Sequence, residues 1–349
     1  MNAIRKLLIS PSKRTYQRIF ISSIGILVVS MILVSKTYGE TPFNWASITI
    51  DNDLFVGNDN GYTNGLYISL YQVGPRQKES MTKPDFWVKP LLWLWPSNDA
   101  FYAINSYTLG QSMVTPLDTQ EPIPSENELP YSGVLFLINN YVMVSPKKAD
   151  KFSTTVGVVG PASGAEQTQN FVHDLIGSDR AKGWDTQMEN EFVFQFSRAR
   201  LWRNWVSKSS HWDLLTQAEI NLGTIESSGN AAIMLRTGRL LDKSYHTPLY
   251  ANTRVANPVA PSGGWYAYFG IQGGYVARWL YTDGTAFRDG PSVSYDRERL
   301  GVTAGVAFSL TKHCLVTLAL TETNLLLGGD NREVKESSRF GTLTFAWQR

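Results

Sequence analysis

The chain contains four histidines, His173, His211, His246 and His313. Histidine is the side chain whose ordinary titration falls near neutral pH, so it can take and return a proton under physiological conditions. His211 and His246 lie in polar, turn-like stretches and read as loop residues, and His313 reads as the start of a strand. His173 differs in its surroundings, 160-GPASGAEQTQNFVHDLIGSDRAKGWD-185, which are dense in polar groups and glycine turns. A histidine in such a place is either structural or a general base, and residue types alone leave both open. A second cluster, 51-DNDLFVGNDNGYTNG-65, packs carboxylate and amide oxygens together. Those are the ligands a hard cation such as Ca²⁺ prefers. It is not an EF-hand loop, because the twelfth position from Asp51 is Tyr62 and not Glu. A Gly/Asn-rich hairpin turn between 43–50 and 64–72 accounts for the asparagines at 58–64. It accounts less well for Asn52 and Asp53, which extend the end of a strand.

Several nucleophile signatures are missing. The sequence has no Gly-x-Ser-x-Gly elbow, no His-x-Ser and no His-Glu-x-x-His zinc motif. For a hydrolase, water activated by histidine beside a metal is the simplest design that remains.

These groups need elements to hold them. Around His173, Ser163 and Glu166 have capping-box spacing, and Gly177 stands where a helix would stop. Phe171 and Leu175 share one helical face, as do Gln169 and His173 at i, i+4. The spacing predicts a short helix over 163–177, inserted between two strands. Elsewhere the signal is alternation. Phe192, Phe194 and Phe196 point one way while Glu191, Val193, Gln195 and Ser197 point the other. Leu214, Ala218, Ile220 and Leu222 oppose Gln217, Glu219 and Asn221, and Leu343, Phe345 and Trp347 oppose Thr342, Thr344 and Ala346. Similar patterns run through 64–72, 133–145, 265–276, 299–310 and 314–324. Period-two alternation with a polar face suits an antiparallel barrel with apolar side chains to lipid and polar ones to a wet lumen. Residues 77–100 break the rhythm, with Pro84, Pro90 and Pro96 among Phe86, Trp87, Trp93 and Trp95. They read equally as a structured surface loop or as one lying against the membrane interface.

The ends and the charge agree with export. Residues 1–18 carry five cations and no acid, an apolar run of 16 residues follows from Ile19 to Val34, and small residues flank Tyr38. That is the pattern of a signal peptide over 1–39, leaving 40–349 as one barrel domain. Residues 1–39 hold six of the 32 Lys and Arg and none of the 30 acids, so the remainder carries a net charge of −4. No basic stripe argues for nucleic acid. The single cysteine, Cys314, cannot form an internal disulfide.

The motifs resemble those of a known family. They are 50-IDNDLFVGNDNGYTNGLYISL-70, 110-GQSMVTP-116, the stretch 157–191 with Gly160-Pro161, Gln169, His173, Gly183-Trp184-Asp185, Gln187 and Asn190-Glu191 in order, and 282-TDGTAFRDGPSV-293. Together they are similar to the outer-membrane lipid A 3'-O-deacylases, from about residue 47 to the C-terminus. The resemblance implies a twelve-stranded antiparallel transmembrane β-barrel in the outer membrane of a Gram-negative bacterium. It implies Ca²⁺-dependent hydrolysis of the ester that holds the 3'-acyloxyacyl group on lipid A. The expected partners are the lipopolysaccharide substrate and outer-membrane lipid, and the expected form is a monomer. Carried over by position, the catalytic histidine falls on His173, the Asn-Asp pair on Asn52 and Asp53, the motif threonine on Thr63 and the helix glutamine on Gln169. Asp53 and Asn52 would then hold the metal. Asp185 reads as structural in its loop. Two departures stand out: 129-LPYSGVL-135 replaces a cation with Leu129 and a large ring with Val134, and the chain ends Trp347-Gln-Arg349 rather than on an aromatic. A barrel without enzymatic activity, such as a pore, and a hydrolase of another lipid ester are the competing readings.

Overall fold

The computed structural model describes residues 43–52, 62–176, 178–247, 263–324 and 337–348. The expected leader, Asp53 and the rest of the hairpin turn at 53–61 lie outside them. Twelve strands close into one antiparallel barrel in which every strand pairs with its neighbour in sequence and β12 returns to β1. They are β1 (Trp45–Asn52), β2 (Tyr62–Val73), β3 (Tyr102–Val114), β4 (Ser132–Val144), β5 (Lys148–Val159), β6 (Glu191–Val206), β7 (Trp212–Gly223), β8 (Glu226–Arg239), β9 (Trp265–Trp279), β10 (Glu298–Thr311), β11 (Cys314–Asn324) and β12 (Ser337–Gln348). Among the described residues three short helices sit in the connections: α1 (Ala165–Ile176), α2 (Leu241–Ser244) and α3 (Leu280–Asp283). Among the described residues no helix is long and apolar enough to cross a membrane.

The alternation read from the sequence separates the two faces of the wall. On β7, Asp213, Leu215, Gln217, Glu219 and Asn221 are buried inward while Ile220 and Leu222 stand exposed outside. Register carries the assignment round the barrel: Phe196 pairs with Leu222 and Arg198 with Ile220, so the even positions of β6 face out. The outer face of β7–β12 and β1–β2 is apolar, with Ile233, Leu235, Phe269, Ile271, Leu318 and Phe345 all exposed. Such a band is what lipid tails require.

The lumen is layered. At the end where β1 finishes, Val114, Val134, Val159, Val193 and Phe340 pack with Leu280, Tyr281 and Val293. At the opposite end Tyr71, Tyr102, Ile104, Leu201, Leu215 and Met234 pack with Tyr245. Between them the wall is polar, and Lys151 Nζ lies 2.7 Å from Glu219 Oε1. Near the second end Asp213 accepts from Arg236 (Nε, 2.9 Å) and Arg203 (Nε, 2.8 Å), and Arg236 also donates to the carbonyls of Leu241 and Ser244. His246 lies in a turn, as expected, but the turn is folded into the lumen and the ring is fully buried there, with Nε2 2.9 Å from the Tyr102 hydroxyl. Burial, with Arg76 and Arg236 nearby, lowers its pKa to about 3, so it sits in the plug as a neutral ring.

The rhythm-breaking segment between β2 and β3, residues 74–101, is a strap folded against the outer wall. Its short turns at Lys78–Ser80 and Lys89–Trp93 lay Val88, Met81, Leu91, Leu92 and Leu94 on the outward side chains of Ala103, Tyr141 and Phe152. Arg76 and Lys78 therefore belong to the end opposite Asn52, with the Arg76 guanidinium 5.3 Å from the Tyr102 ring.

Candidate active site

At the rim where β1 ends, register places Asn52 opposite Asn64, Asn64 opposite Met113, and Met113 opposite Gly133. All four positions lie on the outer face, in a row of about 15 Å at the usual strand spacing. Helix α1 docks on the Gly133 end of that row. A Cβ added at Gly133 would sit 2.1 Å from Ala165 Cβ, so the absence of a side chain there lets the helix touch the wall. Gln111 Nε2 donates to the Ser163 carbonyl at 2.6 Å, and Met113, Tyr131, Ala165 and Trp184 form a buried cluster around the contact. The chain enters through Gly160, whose φ of 98° suits glycine alone. The helix begins one residue later than the capping-box spacing predicts. Gly164 supplies the first carbonyl, to Thr168 N at 3.1 Å, while Ser163 Oγ accepts from Ala165 N.

Gln169 and His173 share a face of α1 as predicted, but their environments differ. Gln169 is buried, its Oε1 accepts from Trp184 Nε1 at 2.6 Å, and its Nε2 has no partner among the described residues. A buried N–H without an acceptor carries a desolvation cost, which an incoming oxygen would remove. His173 is half-buried, with Nδ1 2.6 Å from the Asp179 carbonyl oxygen. A carbonyl only accepts, so Nδ1 carries the proton and Nε2 of the neutral ring is left basic. The next residue in each segment repeats the tie: Asp174 accepts from Arg180 in a bidentate ion pair, Nε to Oδ1 at 2.8 Å. The guanidinium hydrogen bond holds the Asp174 carboxyl below the usual carboxylate range.

Thr63 sits at a register shift on β2, since Tyr62 pairs with Val114 and Asn64 with Met113. Such bulges re-aim a residue and are frequent beside active sites; the side chain itself is outside the description. Asn52 is half-buried on the outer rim and offers a hard oxygen, of the kind Ca²⁺ takes. Among the described residues no group of three acidic, His or Cys side chains forms a metal cluster. Asp185 is exposed.

Other motif residues turn out to tie loops together. Asn190 Oδ1 accepts from Ala162 N at 2.7 Å, and Glu191 accepts from the backbone N–H groups of Ala286 and Phe287 at 2.6 and 3.0 Å. Asp283 Oδ2 accepts from Trp279 N and the Tyr295 hydroxyl, both at 2.7 Å. Leu129 and Val134, the two departures, belong to the inner apolar plug and not to the outer rim. Trp184 and Gln111 stand within motifs without a role legible from residue type, and Arg180, the partner of Asp174, carries no sequence signal at all.

The arrangement brings a half-buried histidine, a buried amide donor and, along the same rim, the half-buried Asn52 to the outer face of a barrel wall. The family described as Outer membrane protein LpxR matches residues 21–349. Among solved structures, LpxR from Salmonella typhimurium aligns with a TM-score of 0.69 at 13% identity, covering 87% of this chain and 99% of that one. The beta domain of the Bordetella autotransporter BrkA aligns with a TM-score of 0.42 at 12% identity, over 87% of this chain and 98% of that one. No curated protein matches this chain in sequence.

Proposed function

This chain belongs to the outer membrane protein LpxR family, and on that premise we propose that it hydrolyses the ester holding the 3'-acyloxyacyl group of lipid A. The observation that carries the reading is the placement of α1. The helix holds a histidine of fixed tautomer on the outer wall, at a rim, where a lipid in the surrounding leaflet can reach it. The opposite rim has tight turns at 145–147, 207–211 and 312–313 and is where β1 begins and β12 ends, as the periplasmic side of such a barrel does. The site rim then faces the outer leaflet, where lipopolysaccharide resides.

His173 Nε2 takes a proton from water as the water attacks the ester carbonyl. The backbone bond from Nδ1 to the Asp179 carbonyl keeps the ring oriented while Nε2 is charged, and steadies the imidazolium. Gln169 donates from Nε2 to the carbonyl oxygen as negative charge builds on it, held in place by Trp184. As the intermediate collapses and the acyl C–O bond breaks, the proton passes from His173 to the departing alkoxide oxygen, which leaves as a hydroxyl. Asn52 and Asp53 would hold Ca²⁺, which when bound supplies a Lewis acid for the same oxygen; Thr63 orients the water or the oxyanion. Apolar clusters cross the lumen at both ends among the described residues, an arrangement ill suited to a pore.

Mass spectrometry of lipid A from cells expressing the intact chain or His173→Ala tests the reading. Loss of an acyloxyacyl group with the intact chain alone is expected, and chelation by EDTA should stop it. Unchanged lipid A in both, with Ca²⁺ present, overturns it, and release of fatty acid from added phospholipid instead would move the reaction to another ester.

A further inference from the structure

The wall beneath the site is unlike the rest of the barrel. On β10, Leu300, Val302, Ala304, Val306, Phe308 and Leu310 face outward in succession. At two residues per step and a tilt near 40°, that run covers roughly 25 Å, the height of a lipid-facing band. On β3 only Leu109 lies between Gln111, which binds the turn before α1, and Tyr107, which donates to Asp85 of the strap. On β4 and β5 the open positions are Leu135, Leu137, Val156 and Val158. Below them the outward side chains become polar or charged: Asn139, Thr154, Asp150, Arg198 and Arg200.

Bare contact with lipid tails would be costly for these groups. The strap covers and binds Thr154, Asp150, Arg198 and Arg200, while Asn139 Nδ2 donates within the wall to Asn105 Oδ1 at 2.9 Å. Thr154 Oγ1 donates to the Trp87 carbonyl at 2.8 Å, and the Tyr141 hydroxyl to the Thr82 carbonyl at 2.8 Å. Arg198 and Arg200 donate to the carbonyls of Leu94 and Trp95 at 3.1 and 2.6 Å, and Ser97 donates to Asp150. The strap's far side presents Trp95, Trp93 and Phe86, exposed by 78%, 73% and 62%, with Lys78, Lys83 and Lys89 exposed along it. Irregular backbone is not tolerated bare against hydrocarbon, whereas indole rings and lysines settle at the headgroup layer. Trp202, Trp205, Trp212 and Trp265 are exposed at the same end of the barrel.

We propose that the strap is a seat for the phospholipid headgroups of the periplasmic leaflet, and that it draws that layer up the β3–β6 wall toward the site. The hydrocarbon band is then narrow beneath α1 and of ordinary height on the β8–β11 side. The proposal concerns where the bilayer lies and is independent of which ester is cut.

The test uses the full chain with Cys314→Ser, refolded into phosphatidylethanolamine and phosphatidylglycerol vesicles. Nitroxide labels are placed through Trp93→Cys, Trp95→Cys, Ser209→Cys in a solvated turn at the same end, and Trp212→Cys on the bare wall. Folding of each variant is checked by heat-modifiable gel mobility. Labels at 93 and 95 should collide with oxygen and escape a water-soluble nickel complex as the label at 212 does, differing at least three-fold in that ratio from 209. A ratio at 93 and 95 matching 209 overturns the seat. Without any spin label, bromine at a shallow acyl position should quench the unaltered protein more than a Trp93→Ser/Trp95→Ser variant. Equal quenching also overturns it.

Discussion

Ionic side chains inside the barrel and those around α1 look alike in sequence and do opposite things. In the lumen, Asp213 and Arg236 are fully buried, and Arg236 is held by Asp213 and by the carbonyls of Leu241 and Ser244. At the rim, His173 is half-open, and the Asp174–Arg180 pair beside it stands in solvent. Burial makes a charge pair a fixture of the fold, because losing one partner strands the other. Exposure makes a pair nearly weightless for stability, yet able to steer a neighbouring group. The difference predicts that activity and stability respond to separate sets of substitutions.

His173→Ala should show the largest effect, an activity loss on the order of 10²–10⁴-fold, the usual worth of a general base. Its unfolding midpoint in urea should stay within error of the parent, and a large shift would erase the distinction drawn between rim and lumen. Asp213→Asn should reverse the pattern. It leaves Arg203 and Arg236 without their carboxylate and should cost about 3–5 kcal/mol of stability, while the folded fraction keeps its turnover.

A smaller, pH-dependent effect belongs to His246. Its folded pKa of about 3 lies below its ordinary value, so the unfolded chain binds the extra proton. The stability from the neutral ring is complete above about pH 6.5 and is lost as pH falls toward 3, with a slope of at most about 1.4 kcal/mol per pH unit. His246→Gln should flatten that slope in a pH series of unfolding curves. The smallest effect is at the rim, where Asp174→Asn should lower kcat by about two- to five-fold with KM and stability unchanged, since exposed pairs are worth about 0–1 kcal/mol. Exchange of the pair by Asp174→Arg with Arg180→Asp should restore most of it, and no change in kcat for Asp174→Asn would show that the pair does not steer the ring.

The strands facing bare lipid were plain in the sequence. β7, β12 and residues 191–197 of β6 alternate because one face meets tails and the other a polar lumen, and the structure keeps that assignment residue by residue. β3 and β5 gave no such signal. Their outer faces lie under the strap and α1, so Asp150 and Thr154 occupy positions where alternation leads one to expect apolar groups. On β8 the outward Gly229 and Ala231 blur the pattern by size. At the site, helix α1 and the shared face of Gln169 and His173 were legible from spacing. The tie from His173 to Asp179 was not, because a backbone carbonyl leaves no mark on residue type. Neither was the burial of His246, which depends on Tyr102, more than a hundred residues away.

The closing seam has a consequence for the order of assembly. Asn52 lies on the first strand, whose neighbours are β2, next in the chain, and β12, the last. Across that seam Asp51 accepts from Thr342 at 2.7 Å, Thr49 meets Thr344 at 2.8 Å, and Asn52 pairs with Gly341. These contacts span almost the whole polypeptide, and contacts that close so long a loop form late in folding. Helix α1 and its wall can form from the middle of the chain alone. The rim that carries Asn52 waits for the final strand, so a barrel still open at its seam holds its histidine in place but not the second half of the proposed site.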